Sequence, residues 1–384
     1  VGVDAVGELL KLLAAGMLTV ATVTLSVLML VLNLAAAQVS PRAVPEVMAD
    51  QVTQNALGTF LATFVYSLTA LLLLGFGAVS GPGLTLVVFG ALLLALNAVR
   101  YLVQWSHHVA EVLKINRMID RIHRHAAGVL DSYLDGERQA RCDAPAAAPR
   151  QGLAVHPQST GYVQLIDAAS LQLLACDQDL TVRLCVQEGD FVHPHRALME
   201  VSSNRKAAAE DEDEAVLEGL RATVVIGFER SREGDPRLGF ELLAEIACRS
   251  MSPAVNDPQS ARACVDYLGA LLAAAGSRPP ADYPPSHSAD GRVAFVRSDF
   301  ASLLQLAFRP VMRDGGGAAE VICAIMDVLR LLAVKAAPDY LDCLAVEARR
   351  AEDLGEQALP LAADKQALGE MAAELRRIIA RRRR

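Results

Sequence analysis

The hydrophobic pattern divides the chain in two. Two runs, 12–38 and 51–99, contain no Asp, Glu, Lys or Arg, and a polar junction bearing Arg42, Glu46 and Asp50 separates them. About 20 predominantly apolar residues cross a hydrocarbon core as a helix, so the first run suffices for one crossing and the second for two. Within the second run, Ser80-Gly81-Pro82-Gly83 fits a tight turn between antiparallel helices. The pattern therefore predicts a transmembrane domain over 1–104, with helices at roughly 12–37, 53–78 and 84–104. Buried helices of soluble domains are shorter and rarely stay uncharged for so long.

After residue 104 the pattern becomes amphipathic. Val103, Val109, Val112, Ile115, Ile119 and Ile122 continue a helical period to about Leu134, where Gly136 and the Ala/Pro stretch Cys142–Pro149 end it. This predicts a stalk over 105–135 that prolongs the third helix to about 75 Å. Residues 151–203 read as a small β module. Gly161–Ile166 forms a strand, Asp179–Gln187 alternates apolar and polar, and Glu188-Gly189-Asp190 and His193-Pro194-His195 make turns. A mainly helical region over 210–335 follows, then helices over 347–384 ending in Arg376, Arg377 and Arg381–Arg384. The fold class expected is an α-helical multi-pass membrane domain followed by a cytoplasmic α+β region containing a small β module.

Charge adds direction. Arg100, Lys114, Arg117, Arg121 and Arg124 outweigh Glu111 and Asp120 just beyond the third helix, so the positive-inside rule places the rest of the chain in the cytoplasm. A net charge of −8 gives no nucleic-acid footprint. Seven cysteines without a CxxC pair read as reduced thiols. The partners expected are the lipid bilayer and further copies of the chain.

Several polar groups carry candidate chemistry. Asn33, Thr59, Thr63 and Asn97 are pore-lining candidates within otherwise apolar helices, while Gly58, Ala62 and Tyr66 share a face suited to close helix packing. Ser252, Asn256, Asp257 and Ser260 cluster in an elbow between Pro253 and Pro258. The structural reading of that elbow is a helix cap with Pro at the first helical position; the functional one is a rim for an ion or small ligand. His107-His108 and His123/His125 do not place two imidazoles on one helical face, and Glu210–Glu214 reads as a solvated first turn. The chain has no phosphate-binding glycine loop, HExxH or nucleophile elbow, so neither an enzyme nor a cofactor or metal is expected.

Five stretches resemble the DUF2254 family of predicted bacterial membrane proteins. They are Gln38–Arg42, Leu57–Tyr66, Gly161–Asp167, Gly189–Val192 and the Ser252–Pro258 elbow, in the expected order. The resemblance implies four membrane helices before a large soluble region, and hence a further helix upstream of Val1. It implies no reaction. Gln259-Ser260-Ala261 departs from the family's aromatic-Thr-Ala ending. The leading expectation is a homo-oligomeric channel or channel-like ion conduit with a cytoplasmic gating or sensory domain. The alternative is a non-conducting membrane-anchored ligand sensor or scaffold.

Overall fold

The computed structural model describes residues 3–38, 51–79, 81–112, 114–135, 152–203, 214–231, 233–280, 288 and 290–384. They form two compact units, Val1–Met118 and Ile119–Arg384. The polar junction with Arg42, Glu46 and Asp50, Ser80 of the expected turn, the Gly136–Pro149 stretch and the acidic positions 210–213 lie outside the described residues.

The first unit consists of α1 (Val3–Gln38), α2 (Gln51–Gly75) and α3 (Pro82–Val112). All three are long and apolar enough to cross a membrane. On α2 the buried positions are Thr53, Ala56, Phe60, Thr63, Ser67 and Ala70, a strict three–four spacing that makes one stripe. Phe60 fills the seam against Ala21 of α1 and Ala98 and Trp105 of α3, and Ala70 packs with Val6, Leu10 and Ala91 at the other end. The α2–α3 approach depends on Gly90. The Tyr66 ring lies where its side chain would be, and the Tyr66 hydroxyl donates to the Val87 carbonyl at 3.0 Å. Gly58 and Ala62 are not at this seam: open space surrounds the absent Cβ of Gly58, and Ala62 is exposed. Phe60 sets which face turns inward, and Gly58 sits about 200° around the helix from it.

The periodic run expected to form one long helix is carried by two. Lys114 lies outside both α3 and α4 (Ile115–Asp135). Within the second unit, Ile119, Ile122, Ala126, Leu130 and Leu134 of α4 are buried. The Tyr133 hydroxyl donates to the Ser298 carbonyl at 3.1 Å and accepts from the Ser298 amide at 3.0 Å. This helix is apolar on one side and charged on the other, so it buries its stripe in the second unit's core instead of standing clear as a stalk.

Two small sheets follow. In chain order come β1 (Leu153–Val155), β2 (Gly161–Ile166), α5 (Ala168–Asp177), β3 (Leu180–Leu184), β4 (Phe191–Val192), β5 (Met199–Ser203), α6 (Glu214–Ala222), β6 (Val224–Gly227) and, much later, β7 (Val293–Ala294). One sheet has the order β1-β5-β3-β7 and the other β4-β2-β6; every pairing is antiparallel except β3 with β7. Alternation does what the sequence pattern predicts along β3, where Leu180, Val182 and Leu184 face a core shared with Val163, Leu171, Met199 and Leu220. The β module therefore takes strands from outside 151–203: β6 and β7 belong to the following region in sequence but complete its sheets.

The remaining elements are α7 (Pro236–Ser250), α8 (Pro258–Gly276), α9 (Phe300–Gly315), α10 (Ala319–Lys335), the 3₁₀ turn Pro338–Tyr340, α11 (Leu341–Ala358) and α12 (Ala362–Arg382). Val321, Ile322, Ile325, Met326, Leu329 and Leu332 of α10 are buried, which makes it the internal helix of this group. The chain is thus mostly helical, with three apolar N-terminal helices and a small sheet region.

Candidate functional site

In the first unit most threonine and serine hydroxyls of α1 and α2 donate to their own helix, while the buried Thr24 hydroxyl has no hydrogen-bond partner among the described residues. Thr59 donates to the Asn55 carbonyl and Thr63 to the Thr59 carbonyl, each at 2.7 Å, and Ser67 donates to the Thr63 carbonyl at 2.8 Å. On α1, Thr19, Thr22 and Ser26 make the same back-bond to the residue four before. This is how a hydroxyl satisfies itself in an apolar helix. Thr63 is fully buried, Thr59 and Asn97 are half-buried, and Asn33 is exposed.

The elbow between α7 and α8 has the geometry of a cap. Asp257 Oδ1 accepts from the Ser260 amide at 3.1 Å and Oδ2 from the Ser260 hydroxyl at 2.6 Å, with Pro258 at the first helical position. These bonds, the Ser260 hydroxyl foremost, hold the Asp257 carboxyl below its ordinary value. Asn256 adopts a left-handed backbone, φ +48°, at a place where Asn is among the few residues tolerated. Its amide, with that of Val255, closes the turn onto the Ser252 carbonyl, and its own side chain is exposed. The structure brings Asp257 and Ser260 together; Asn256 faces outward.

A third polar cluster, which the sequence pattern does not single out, is the most heavily built in the second unit. Asp235, whose carboxylate is fully buried, caps α7 through the Arg237 amide at 3.0 Å and receives Arg230 Nε at 3.0 Å and Arg237 Nε at 3.2 Å. Arg230 also pairs with Glu241. Arg237 reaches Asp190 at 3.0 Å and the Glu188 carbonyl at 2.6 Å, while Arg196 takes the other Asp190 oxygen at 2.9 Å. Burial works against the Arg230 charge, but Asp235 and Glu241 prevail and raise its pKa. Burial also pushes the Glu188 carboxyl up, against the pull of Arg297. The network joins the turn before β4 to the first turn of α7. Gly189, φ +85°, lies so close to Asp235 that a Cβ would fall 2.6 Å from its Cγ. A guanidinium–carboxylate lattice with every named arm engaged fixes two elements to each other. Its sequence signals were the Asp235-Pro236 helix start and the Glu188-Gly189-Asp190 turn, which are remote in the chain.

Pro280, Asp299, Ala301, Asp339, Tyr340, Asp342 and Cys343 line an open cleft of about 360 Å³. Its carboxylates are partly committed: Asp299 caps α9 through the Ser302 amide at 2.8 Å, and Asp342 pairs with Arg383. Cys343 donates its thiol to the Tyr340 carbonyl, and burial pushes its pKa up to about 11, which leaves it a poor nucleophile at neutral pH. Among the described residues no three His, Cys, Asp or Glu side chains gather as a metal-holding group.

The family model of predicted membrane proteins DUF2254 matches residues 1–331. Uncharacterized protein Mb1321c of Mycobacterium bovis is 28% identical over 334 residues, covering 86% of this chain and 64% of that relative. Uncharacterized protein Rv1290c of Mycobacterium tuberculosis matches to the same extent. The chain thus spans less than two thirds of the length of these curated relatives. No solved structure matches significantly. The chain belongs to the DUF2254 family of predicted membrane proteins.

Proposed function

We propose that this chain is a multi-pass protein of the bacterial inner membrane whose second unit lies in the cytoplasm and serves as a recognition platform, a non-conducting sensor or scaffold. The observation that carries this reading is the fate of the hydroxyl stripe. The Thr63 and Ser67 hydroxyls are buried in the three-helix seam and donate to their own helix, while Leu61, Val65, Leu72, Phe89, Leu92 and Leu96 face outward. An apolar outer surface and internally satisfied hydroxyls suit lipid contact better than a water-filled path. The excess of arginine and lysine over 100–124 supports the cytoplasmic orientation. On the second unit, the outer face of the β4-β2-β6 sheet supports recognition. Phe191 packs edge-on to Tyr162 at 5.2 Å, the paired Leu165 and Val225 stay exposed, and Phe228, just past the end of β6, is exposed to 85%. Contiguous apolar surface of this kind marks interaction sites.

A homo-oligomeric channel is the second reading, favoured by the exposed Asn33 and half-buried Asn97, which copies arranged about an axis would gather. Purified chain in liposomes separates the two. The platform reading expects K⁺ and Cl⁻ flux equal to that of empty vesicles under voltage and under tension. Flux that Asn33→Leu or Asn97→Leu abolishes overturns it in favour of the channel. A photo-crosslinking residue in place of Phe228 is expected to give discrete adducts in cells; one in place of the exposed Glu233 is not.

A further inference from the structure

The last turns of α10 and α12 combine charge and exposed apolar surface in a way that the fold does not require. Arginines of α12 divide into two sets. Arg376 pairs with Glu352 and Arg383 with Asp342, while Arg382 donates to the Ala333 and Ala336 carbonyls at 3.0 and 2.7 Å, closing the end of α10. Arg377, Arg381 and Arg384 are exposed and have no side-chain partner among the described residues. Arg377 and Arg381, four apart, share one stripe of the helix away from buried Leu368, Ala372, Leu375 and Ile379, and Arg384 lies just past the helix end. Arg330 of α10 pairs with Glu374 of α12 at 2.6 Å, and both helices run on in the same direction from that pair to the Arg382 contacts. One turn beyond Arg330, Val334 sits on the stretch of α10 that Arg382 of α12 closes. Val334 and its neighbour Leu331 are about half exposed, and Lys335 is exposed next to them.

We infer that this surface, Leu331, Val334, Lys335, Arg377, Arg381 and Arg384, docks on the anionic phospholipid headgroups of the bilayer that carries the first unit. The inference rests on the membrane reading above. Most local carboxylates are already paired, Asp327 and Glu374 with Arg330, Glu352 with Arg376 and Asp342 with Arg383, leaving Glu370, two turns before Arg377 and bonded to Gln366, against four cations. Cations flanking apolar side chains match a headgroup layer over its acyl boundary. Four cations near an anionic leaflet strengthen association by roughly a thousandfold before screening. Because α4 follows α3 directly in the chain, the bilayer is always at high effective concentration for the second unit. A purely structural role, offsetting the negative end of the α12 dipole, would be indifferent to lipid charge.

The test uses the full chain in nanodiscs of phosphatidylcholine, with and without phosphatidylglycerol, and reads hydrogen exchange over 373–384. Docking slows exchange there about tenfold or more in the anionic discs, and molar salt removes the effect. Replacing all three arginines, Arg377→Gln, Arg381→Gln and Arg384→Gln, abolishes the protection, and the triple lysine variant keeps it. Equal exchange in both lipids, protection that survives in the glutamine variant, or protection supplied by inorganic phosphate in neutral discs overturns the inference. Resistance to carbonate extraction is scored in parallel. A chain that inserts without protection refutes docking alone, and one that does not insert refutes the membrane reading with it.

Discussion

Replacing Gly189 by alanine tests the charged junction at its tightest point. The backbone there is left-handed, φ +85°, and forcing an L side chain into that region costs roughly 1–2 kcal/mol. The new Cβ would also sit 2.6 Å from Asp235 Cγ and 3.0 Å from Arg230 Nη2, so the buried carboxylate must move off its two guanidiniums. Breaking a buried pair outright costs about 3–5 kcal/mol. Here Arg230 keeps Glu241 and Arg237 keeps Asp190, so about half of that is lost, roughly 2 kcal/mol. The combined cost is about 3–4 kcal/mol, a few hundredfold in the local opening equilibrium at ~1.4 kcal/mol per decade. Hydrogen exchange of the Phe191–Val192 and Arg237–Glu241 amides in the full chain measures it. Gly234→Ala is the control in the same region: its Cβ meets Glu188 Cγ at an ordinary 3.4 Å, and its effect is expected within about 0.5 kcal/mol. If Gly189→Ala opens the junction less than about tenfold more than Gly234→Ala does, the lattice is not what holds β4 to α7.

Asp257→Ala removes the α8 cap and is expected to cost about 1 kcal/mol, with Asp257→Asn much milder, read by thermal unfolding. Since the folded carboxyl titrates below its ordinary 3.8, its contribution is present above that pH and lost as pH falls through the folded pKa; the gap between wild type and Asp257→Ala closes in strong acid. Glu188 has the opposite sign: its raised pKa makes the folded state hold a proton more tightly, so stability falls as pH rises through the window above 4.5. Glu188→Gln is therefore expected to stabilise the second unit at neutral pH and not below pH 4.5, by denaturant titration. In the first unit, Gly90→Ala places a Cβ 2.9 Å from Tyr66 Cζ and is expected to cost about 1–3 kcal/mol, seen as a lower melting temperature in detergent. A fragment starting after residue 135 loses the buried Ile119, Ile122, Leu130 and Leu134, roughly 6–12 kcal/mol of burial, and is expected to aggregate where one starting at Ile115 stays folded.

Long uncharged runs and strict alternation were legible because both reflect one element meeting one environment. Val182 faces the core for reasons visible within five residues of chain, and the apolar helices need only their own composition. Features that depend on a partner remote in sequence were hidden. Val293 pairs with Val182 across more than a hundred residues, and nothing in Val293-Ala294 announces a strand. The helical period through 112–115 was real, yet its burial came from two different units, and periodicity alone does not register the change at Lys114. Gly58 and Ala62 matched a close-packing spacing, but the bulk of Phe60 decided which face turned inward. At the elbow, the Asp257-Pro258 cap was readable because an N-cap is local. The Asp190–Arg237–Asp235 lattice was not, because its halves are some fifty residues apart.

The polar groups that first suggest function are largely occupied. Thr59 and Thr63 serve their own helix, Asp257 serves α8, and Arg230, Arg237, Asp190 and Asp235 serve one another. A group already satisfied in the fold gains little by exchanging its partner for a ligand, since the desolvation and the lost internal bond offset the new contact. Exposed groups have no such cost. Phe191, Leu165 and Val225 lie on sheet strands and Phe228 just past the end of β6, all still in contact with water, and covering them releases about 25 cal/mol for each Å². Arg377, Arg381 and Arg384 hold no carboxylate that a new partner would have to displace. On the proposed reading, then, recognition falls to these outer surfaces of the second unit, because the buried polar clusters are already committed to the fold.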